Sequence, residues 1–264
     1  MAEPVICCIL LDIEGTTCPV SFVASVLFPY ARERLASYLE SNNNDPDVQA
    51  LITATQAAFA ADPNPEVQAL RQGSPIPGHQ PAGQGQLPSE QTQSPVVAYL
   101  QWLIDHDIKF PALKELQGRI WASGYANGGL VAPLFDDVAP TLQHWHQDGY
   151  QLAVYSSGSV AAQQLLYRHS EDGNLEGLFS HWFDTRIGAK QQSASYAAIA
   201  NVLALAPSQI LFVSDAIAEL EAASAVGMAL RFSDRQGNPA RDAGPFIAIQ
   251  SLAEIELPSS TCQP

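Results

Sequence analysis

The sequence predicts an α/β fold: a parallel sheet, interrupted once by a helical insertion. Three observations carry that expectation. Seven apolar residues, Val5-Ile6-Cys7-Cys8-Ile9-Leu10-Leu11, run unbroken into Asp12. Four more short apolar runs, Leu152–Tyr155, His181–Phe183, Ile210–Val213 and Met228–Phe232, alternate with stretches of helical periodicity, the pattern of right-handed βαβ units. Between the first run and the rest, residues 21–127 hold helical patterns and no convincing strand.

In order along the chain, the first run is short, bounded by polar residues and glycine, and reads as a strand buried on both faces. Asp12 then falls at its carboxyl end, where open parallel sheets bind ligands. Glu14 follows two residues later, and Gly15 permits a sharp turn. Two carboxylates so close call for positive charge between them, and a divalent cation is the usual answer. Phe22 to Tyr38 has helical spacing, with Pro29 a kink or restart. Asp45-Pro46, Asn64-Pro65 and Ser94-Pro95 each combine an N-cap with Pro at the first helical position. Gln72 to Thr92, rich in Gly, Pro and Gln, reads as a long surface loop. Pro95–Asp107 and Pro111–Tyr125 are two further helices. Beyond them, helices are expected at Val138–Gln147, Val160–His169, Ser195–Leu205 and Ile217–Val226. The expected organisation is a core of residues 1–20 and 128–264, with residues 21–127 inserted after the first strand. No internal repeat is evident.

With 264 residues and 47% hydrophobic content, the chain suffices for one or two domains with a substantial core. A net charge of −15 argues against nucleic acid or an anionic membrane as partner. It also means that a phosphate substrate needs a local metal or lysine. No apolar run approaches the roughly 18 residues that span a bilayer, and Met1-Ala2-Glu3-Pro4 lacks the basic region of a signal peptide. Cys7 and Cys8 are adjacent in the strand, point to opposite faces and should not pair. With Cys18 and Cys262 they suggest neither a disulfide framework nor a zinc site, which fits a reduced, cytoplasmic setting. His144 and His146, two apart on a helix, do not converge on a metal. The histidines at 79, 106, 169 and 181 read likewise as structural or surface.

Several polar groups stand at strand ends. Val154-Tyr155-Ser156-Ser157-Gly158-Ser159 offers hydroxyls and backbone N–H groups where a helix opens. That is an anion site or an ordinary helix start. Lys190, one of three lysines, follows a strand and Gly188; Arg186 is the competing cation. Asp215 ends a strand, and Glu219, four residues on, could share its helix face. Glu219 is open between a supporting contact and a solvated charge. Asp12, Asp215 and the Glu14 region form an oxygen-rich set without Cys or His, which suits magnesium. Glu14 could bind by its side chain or its carbonyl.

Leu11-Asp12-Ile13-Glu14-Gly15-Thr16-Thr17, with Val20-Ser21-Phe22-Val23 and Leu27-Phe28-Pro29-Tyr30-Ala31-Arg32, resembles motif I of the haloacid dehalogenase superfamily. Within it the string is similar to the enolase-phosphatases, because Glu14 stands where most of these phosphatases carry Asp. Ser156-Ser157 resembles motif II, Lys190 motif III and Asp215 motif IV. Lys114–Trp121 with Gly124-Tyr125 also resembles the family, the aromatics being either core or a cover for an apolar substrate tail. The likeness runs from Val5 to about Phe232.

The resemblance implies a haloacid dehalogenase-like, Rossmann-like core with a helical cap, in which the first strand is central and the strand ending at Asp215 lies beside it. It implies a magnesium-dependent hydrolase that enolises 2,3-diketo-5-methylthiopentyl-1-phosphate and then dephosphorylates it, in methionine salvage. Asp12 would be the nucleophile and Glu14 the acid and base. Lys190 would neutralise the phosphoryl oxygens, Ser156 and Ser157 would hold substrate, and Asp12, Glu14 and Asp215 would hold Mg2+. A cytoplasmic monomer is expected. The alternatives are a related phosphatase for another small phosphate ester and a non-enzymatic phospho-acceptor domain. Receivers place the accepting Asp after a middle strand and carry no insertion of this size, which speaks against the second.

Overall fold

The computed structural model describes residues 5–72 and 94–257. The loop expected over 72–92 lies, beyond Gln72, outside the described residues. In chain order the elements begin with β1 (Cys8–Leu11), α1 (Val20–Phe22), a π-helical turn at Val23–Leu27, α2 (Phe28–Ser41), α3 (Pro46–Ala61), α4 (Pro65–Arg71), α5 (Pro95–Asp105) and α6 (Pro111–Ala126). They continue with α7 (Val138–Gln147), β2 (Gln151–Tyr155), α8 (Val160–Arg168), β3 (His181–Phe183), α9 (Ser193–Leu203), β4 (Ile210–Ser214), α10 (Ile217–Ser224), β5 (Ala229–Ser233) and β6 (Ala248–Ile249). The chain divides into two compact units, Met1–Val26 with Gly124–Pro264, and Leu27–Ser123.

The first unit holds a six-stranded sheet in the order β3-β2-β1-β4-β5-β6, with every pairing parallel. Strand β1 is central because all four of its residues are fully buried and can face packed layers on both sides. It pairs with β2 and β4 in matched register, so Leu11 sits level with both Val154 and Val213. The residues that follow these strands therefore emerge along one edge, at the point where strand order reverses. Beneath that edge, Cys8, Leu10, Tyr155, Tyr196, Phe212 and Phe232 form a continuous apolar core. The two-residue β6 was not anticipated, being too short to show a pattern.

The second unit is helical in its described secondary structure. Its core includes Ala31, Leu35, Val48, Val67, Leu100 and Leu116, all fully buried. The Asp-Pro and Asn-Pro starts behave as the sequence predicts: the side chains of Asp45 and Asn64 accept from the N–H groups of Asp47 and Glu66. Ser94 precedes Pro95 but makes no such bond. Of the kink and the restart expected at Pro29, the chain takes the restart: after a π turn it begins again as α2, with Pro29 in the first turn. Trp121 packs against this unit's core, and its indole N–H donates to the Leu27 carbonyl at 2.8 Å.

Cys8 and Cys18 are buried free thiols, and burial pushes both up to about 12. Cys7 is disulfide-bonded, although the sequence suggested no disulfide framework, while Cys8 is free, so the two adjacent cysteines do not pair, as expected. Among the described residues no helix is long and apolar enough to cross a membrane.

Candidate active site

The residues between β1 and α1 fold tightly around one acceptor. The Ile13 carbonyl receives the N–H groups of Thr16, Thr17 and Cys18, and Gly15 turns the chain at φ +68°. This leaves Asp12 buried at the end of β1, its own N–H bonded to the Val213 carbonyl of β4. One carboxylate oxygen, Oδ1, accepts from the Ile13 N–H at 2.8 Å and lies 2.7 Å from Lys190 Nζ. The other, Oδ2, is met more loosely by the Ser214 hydroxyl, at 3.4 Å.

Lys190 is the centre of the charge arrangement. Its Nζ also lies 2.7 Å from Glu219 Oε2, and its side chain is only 10% exposed. Burial disfavours its charge, yet the two carboxylates outweigh burial and hold the ammonium protonated well above the ordinary lysine range. The segment that carries it is pinned through its backbone. Tyr155 donates to the Gly188 carbonyl at 2.9 Å, Ser195 to that of Ala189 at 2.8 Å and Tyr196 to that of Lys190 at 2.7 Å. Gly188 has φ +145°, and a β-carbon there would fall 2.2 Å from Ser195 Oγ, so the close approach requires glycine. Arg186 turns away: it is 81% exposed and paired with Asp184 at 3.0 Å.

Glu219, left open by its sequence context, faces inward. It accepts from Ser214 Oγ at 2.9 Å besides pairing with Lys190. Burial, then the charge of Asp12, raises its carboxyl to about 7 against the opposing pull of Lys190. Burial and then Asp12 likewise raise Asp215, to about 6. Asp215 stands over Gly15: a β-carbon there would meet Asp215 Oδ2 at 2.2 Å.

Among the described residues no group of three or more His, Cys, Asp and Glu is arranged to hold a metal ion. The donor set still fits magnesium, which takes one or two carboxylates and keeps several waters. Asp12 and Asp215 stand on adjacent strand ends, and the turn beside them is a glycine whose missing side chain makes room for Asp215. Glu14 is half-buried, forms a backbone bridge with Cys18, and its charge adds to the rise of the Cys18 thiol.

Ser156 is buried at the end of β2, bonded through its N–H to the Phe183 carbonyl at 3.2 Å. Its Oγ accepts from the Gly158 N–H at 3.3 Å. Ser157 is exposed, and Ser159 caps α8 by accepting from the Ala162 N–H. Gln163 Nε2 fixes this turn by donating to the Gly158 and Phe183 carbonyls at 2.9 and 2.8 Å. The hydroxyls and the opening of α8 thus share the sheet edge with Asp12. Of the other aromatics, Tyr125 is buried and stacked on His169 at 5.3 Å.

A buried aspartate after the central strand, a lysine against it and a second acid after the neighbouring strand thus meet at one edge of the sheet. The chain belongs to the haloacid dehalogenase-like hydrolases, whose family model matches residues 6–227. It is 47% identical over 249 residues to Enolase-phosphatase E1 of Synechococcus sp. (strain WH7803), covering 94% of this chain and 98% of that one. It is 45% identical over 247 residues to Enolase-phosphatase E1 of Synechococcus elongatus, covering 94% and 96%. Among these hydrolases it therefore falls with the enolase-phosphatases, and it is a phosphatase. A solved structure of the UTR4 protein of Saccharomyces cerevisiae superposes with a TM-score of 0.73 at 28% identity, covering 95% of this chain and all of that one. The phosphate complex of CbbY from Rhodobacter sphaeroides, at TM-score 0.54 and 15% identity, shares the fold.

Proposed function

We propose that the chain enolises 2,3-diketo-5-methylthiopentyl-1-phosphate and then hydrolyses the enol phosphate to acireductone and phosphate, in methionine salvage. The observation that carries this reading is the seating of Lys190 Nζ 2.7 Å from both Asp12 and Glu219. A protonated lysine held there against a buried carboxylate meets the substrate's negative phosphoryl oxygens without having to move.

The contacts support the following roles. Asp12 Oδ1 is engaged by two short contacts, so Oδ2 is the oxygen available to attack phosphorus and form an aspartyl-phosphate. Ser156, Ser157 and the N–H groups opening α8 bind the phosphate. Glu219 and Ser214 keep Lys190 and the Asp12 carboxylate aligned. Glu14 protonates the leaving oxygen and later activates water. Asp12, Asp215 and Glu14 would hold Mg2+, which supplies positive charge to the phosphoryl group and the enolate oxygen when bound. Residues 21–127 serve as a cap on a core of residues 1–20 and 128–264.

The test is to incubate the protein with the diketo phosphate and Mg2+ while following phosphate release and enol absorbance. Both signals are expected. Phosphate release from a simple aryl phosphate, with neither signal from the diketone, would reassign the protein to another small phosphate ester.

A further inference from the structure

The turn that carries Asp12 is held from outside by residues that no motif includes. Three consecutive carbonyls of the turn, those of Gly15, Thr16 and Thr17, each accept from a distant part of the same unit. Gly15 O receives Ser233 Oγ at 2.8 Å and Asn238 Nδ2 at 2.9 Å. Thr16 O receives Arg235 Nε at 3.1 Å, and Thr17 O receives the Phe135 N–H at 3.1 Å. Ser233, Arg235 and Asn238 are all buried, at 1%, 4% and 7% exposure. All three lie beyond residue 227, where the match to the hydrolase family ends.

The Gly15 carbonyl is the most constrained of the three. It takes two side-chain donors, one for each lone pair. Asn238 is itself fixed, because Nδ2 also donates to the Ser233 carbonyl at 3.1 Å, which settles the orientation of its amide. Its Oδ1 and the Asp215 carboxylate close on the same face of Gly15: a β-carbon there would meet them at 2.9 and 2.2 Å. The end of β5 and the segment after it therefore clamp the turn at the residue over which Asp215 stands.

We propose that Ser233 and Asn238 are positioning residues of the active site, holding the Gly15 carbonyl so that the Asp12 turn stays seated beneath Asp215. The proposal rests on the reading of Asp12 and Asp215 as the magnesium-binding pair. Partners of metal ligands are typically worth about 10- to 100-fold in affinity or activity.

The experiment compares the full-length chain with Ser233→Ala, Asn238→Ala and the double variant. It reads the Mg2+ concentration for half-maximal phosphate release, kcat and KM separately, and the melting temperature in chelator and in saturating Mg2+. Each single variant is expected to need roughly tenfold more Mg2+ and to lose kcat with KM little changed. The Mg2+-induced rise in melting temperature should shrink. Arg241→Ala, which removes only the exposed pair with Asp234, should behave as wild type. A merely structural role would lower the melting temperature equally with and without Mg2+ and leave Mg2+ half-saturation unmoved; that result overturns the proposal, as would a rise in KM alone. If Asn238→Ala does not fold, Ser233→Ala decides, since it deletes a single oxygen. A wild-type chain that releases no phosphate would defeat the proposed function, while the Mg2+-induced melting shift would still judge the clamp.

Discussion

Replacing Gly15 by Ala tests the geometry of the site at its tightest point. The residue sits at φ +68°, and the added carbon would lie 2.2 Å from Asp215 Oδ2, 2.7 Å from its Cγ and 2.9 Å from Asn238 Oδ1. The backbone conformation alone costs about 1–2 kcal/mol for an L side chain. Contact with Oδ2 must then lengthen by about 1.2 Å to reach the 3.4 Å of ordinary packing. Asp215 is held at the end of a fully buried strand, so the turn and the carboxylate must separate. A displacement of roughly 1 Å in a reacting constellation lowers the rate about 100-fold. The expected outcome is therefore a loss of about two orders of magnitude in kcat with a melting temperature lowered by roughly 2–8 °C. Phosphate release in saturating Mg2+ and a thermal melt in chelator measure the two effects separately. Near-native kcat would mean that Asp215 need not stand over the Asp12 turn, and the assignment of the metal pair would fall with it.

Lys190→Ala should lower kcat by about 10²–10³, the scale for one preorganised charge, and Lys190→Arg should rescue poorly because a planar fork cannot replace a point charge. Full activity in the Ala variant would remove Lys190 from the chemistry. Asp12→Asn should abolish phosphate release, while enol absorbance still rises when Mg2+ is raised; phosphate release at near-native rates would show that Asp12 is not the nucleophile. Asp215→Asn should raise the Mg2+ concentration for half-maximal activity and shrink the Mg2+-induced melting shift, and unchanged values of both would take Asp215 out of contact with the ion. Burial works to raise the Asp137 carboxyl, but the two bonds from Arg235 at 2.7 and 2.9 Å, the Leu252 N–H and the Arg235 charge outweigh it and hold the carboxyl below its ordinary value. A depressed folded value means that the pair's stabilisation is complete above about pH 4 and is lost as pH falls through the lowered value. Asp137→Asn should therefore destabilise the protein by about 1–3 kcal/mol at pH 7, between the scales of an exposed and a buried pair, and by progressively less as pH falls below about 4, read from urea midpoints across the acid range; a loss that does not change with pH would sink this prediction.

The strand ends were legible because buried parallel strands leave uninterrupted apolar runs, and the first polar residue after each run marks the active edge. Asp12 and Ser156 could be placed that way, and Asp215 one residue further on, after Ser214. Glu219 could not: its spacing from Asp215 is that of any exposed helical pair, and only the fold brings Lys190 to it. The Tyr155, Ser195 and Tyr196 anchors were also invisible, since a buried tyrosine reads as core whether or not its hydroxyl reaches a carbonyl. Ser233, Arg235 and Asn238 lie at and beyond the end of β5, and their partners on the Asp12 turn are backbone atoms more than 200 positions away. No pattern of residue types announces a bond to a carbonyl. The π turn at Val23–Leu27 escaped for a related reason, as its composition is that of an ordinary helix.

The bond from Trp121 to the Leu27 carbonyl bears on how the chain reaches its fold. Cys8 must find Gln151 across more than a hundred residues before the central strand can pair. Such distant pairings are slow, because the entropy of closing the loop is lost before any strand contact is gained. The helical unit has a core of its own, and Trp121 ties its last turn back to its first residue. Once it forms, the segment Leu27–Ser123 counts as a single short link. The loop that β1 must then close shrinks to roughly 45 flexible residues, lowering the entropy of closure by about 1 kcal/mol. An insertion that separates the two central strands so widely in sequence thus adds little to the search for their pairing, provided that it folds first.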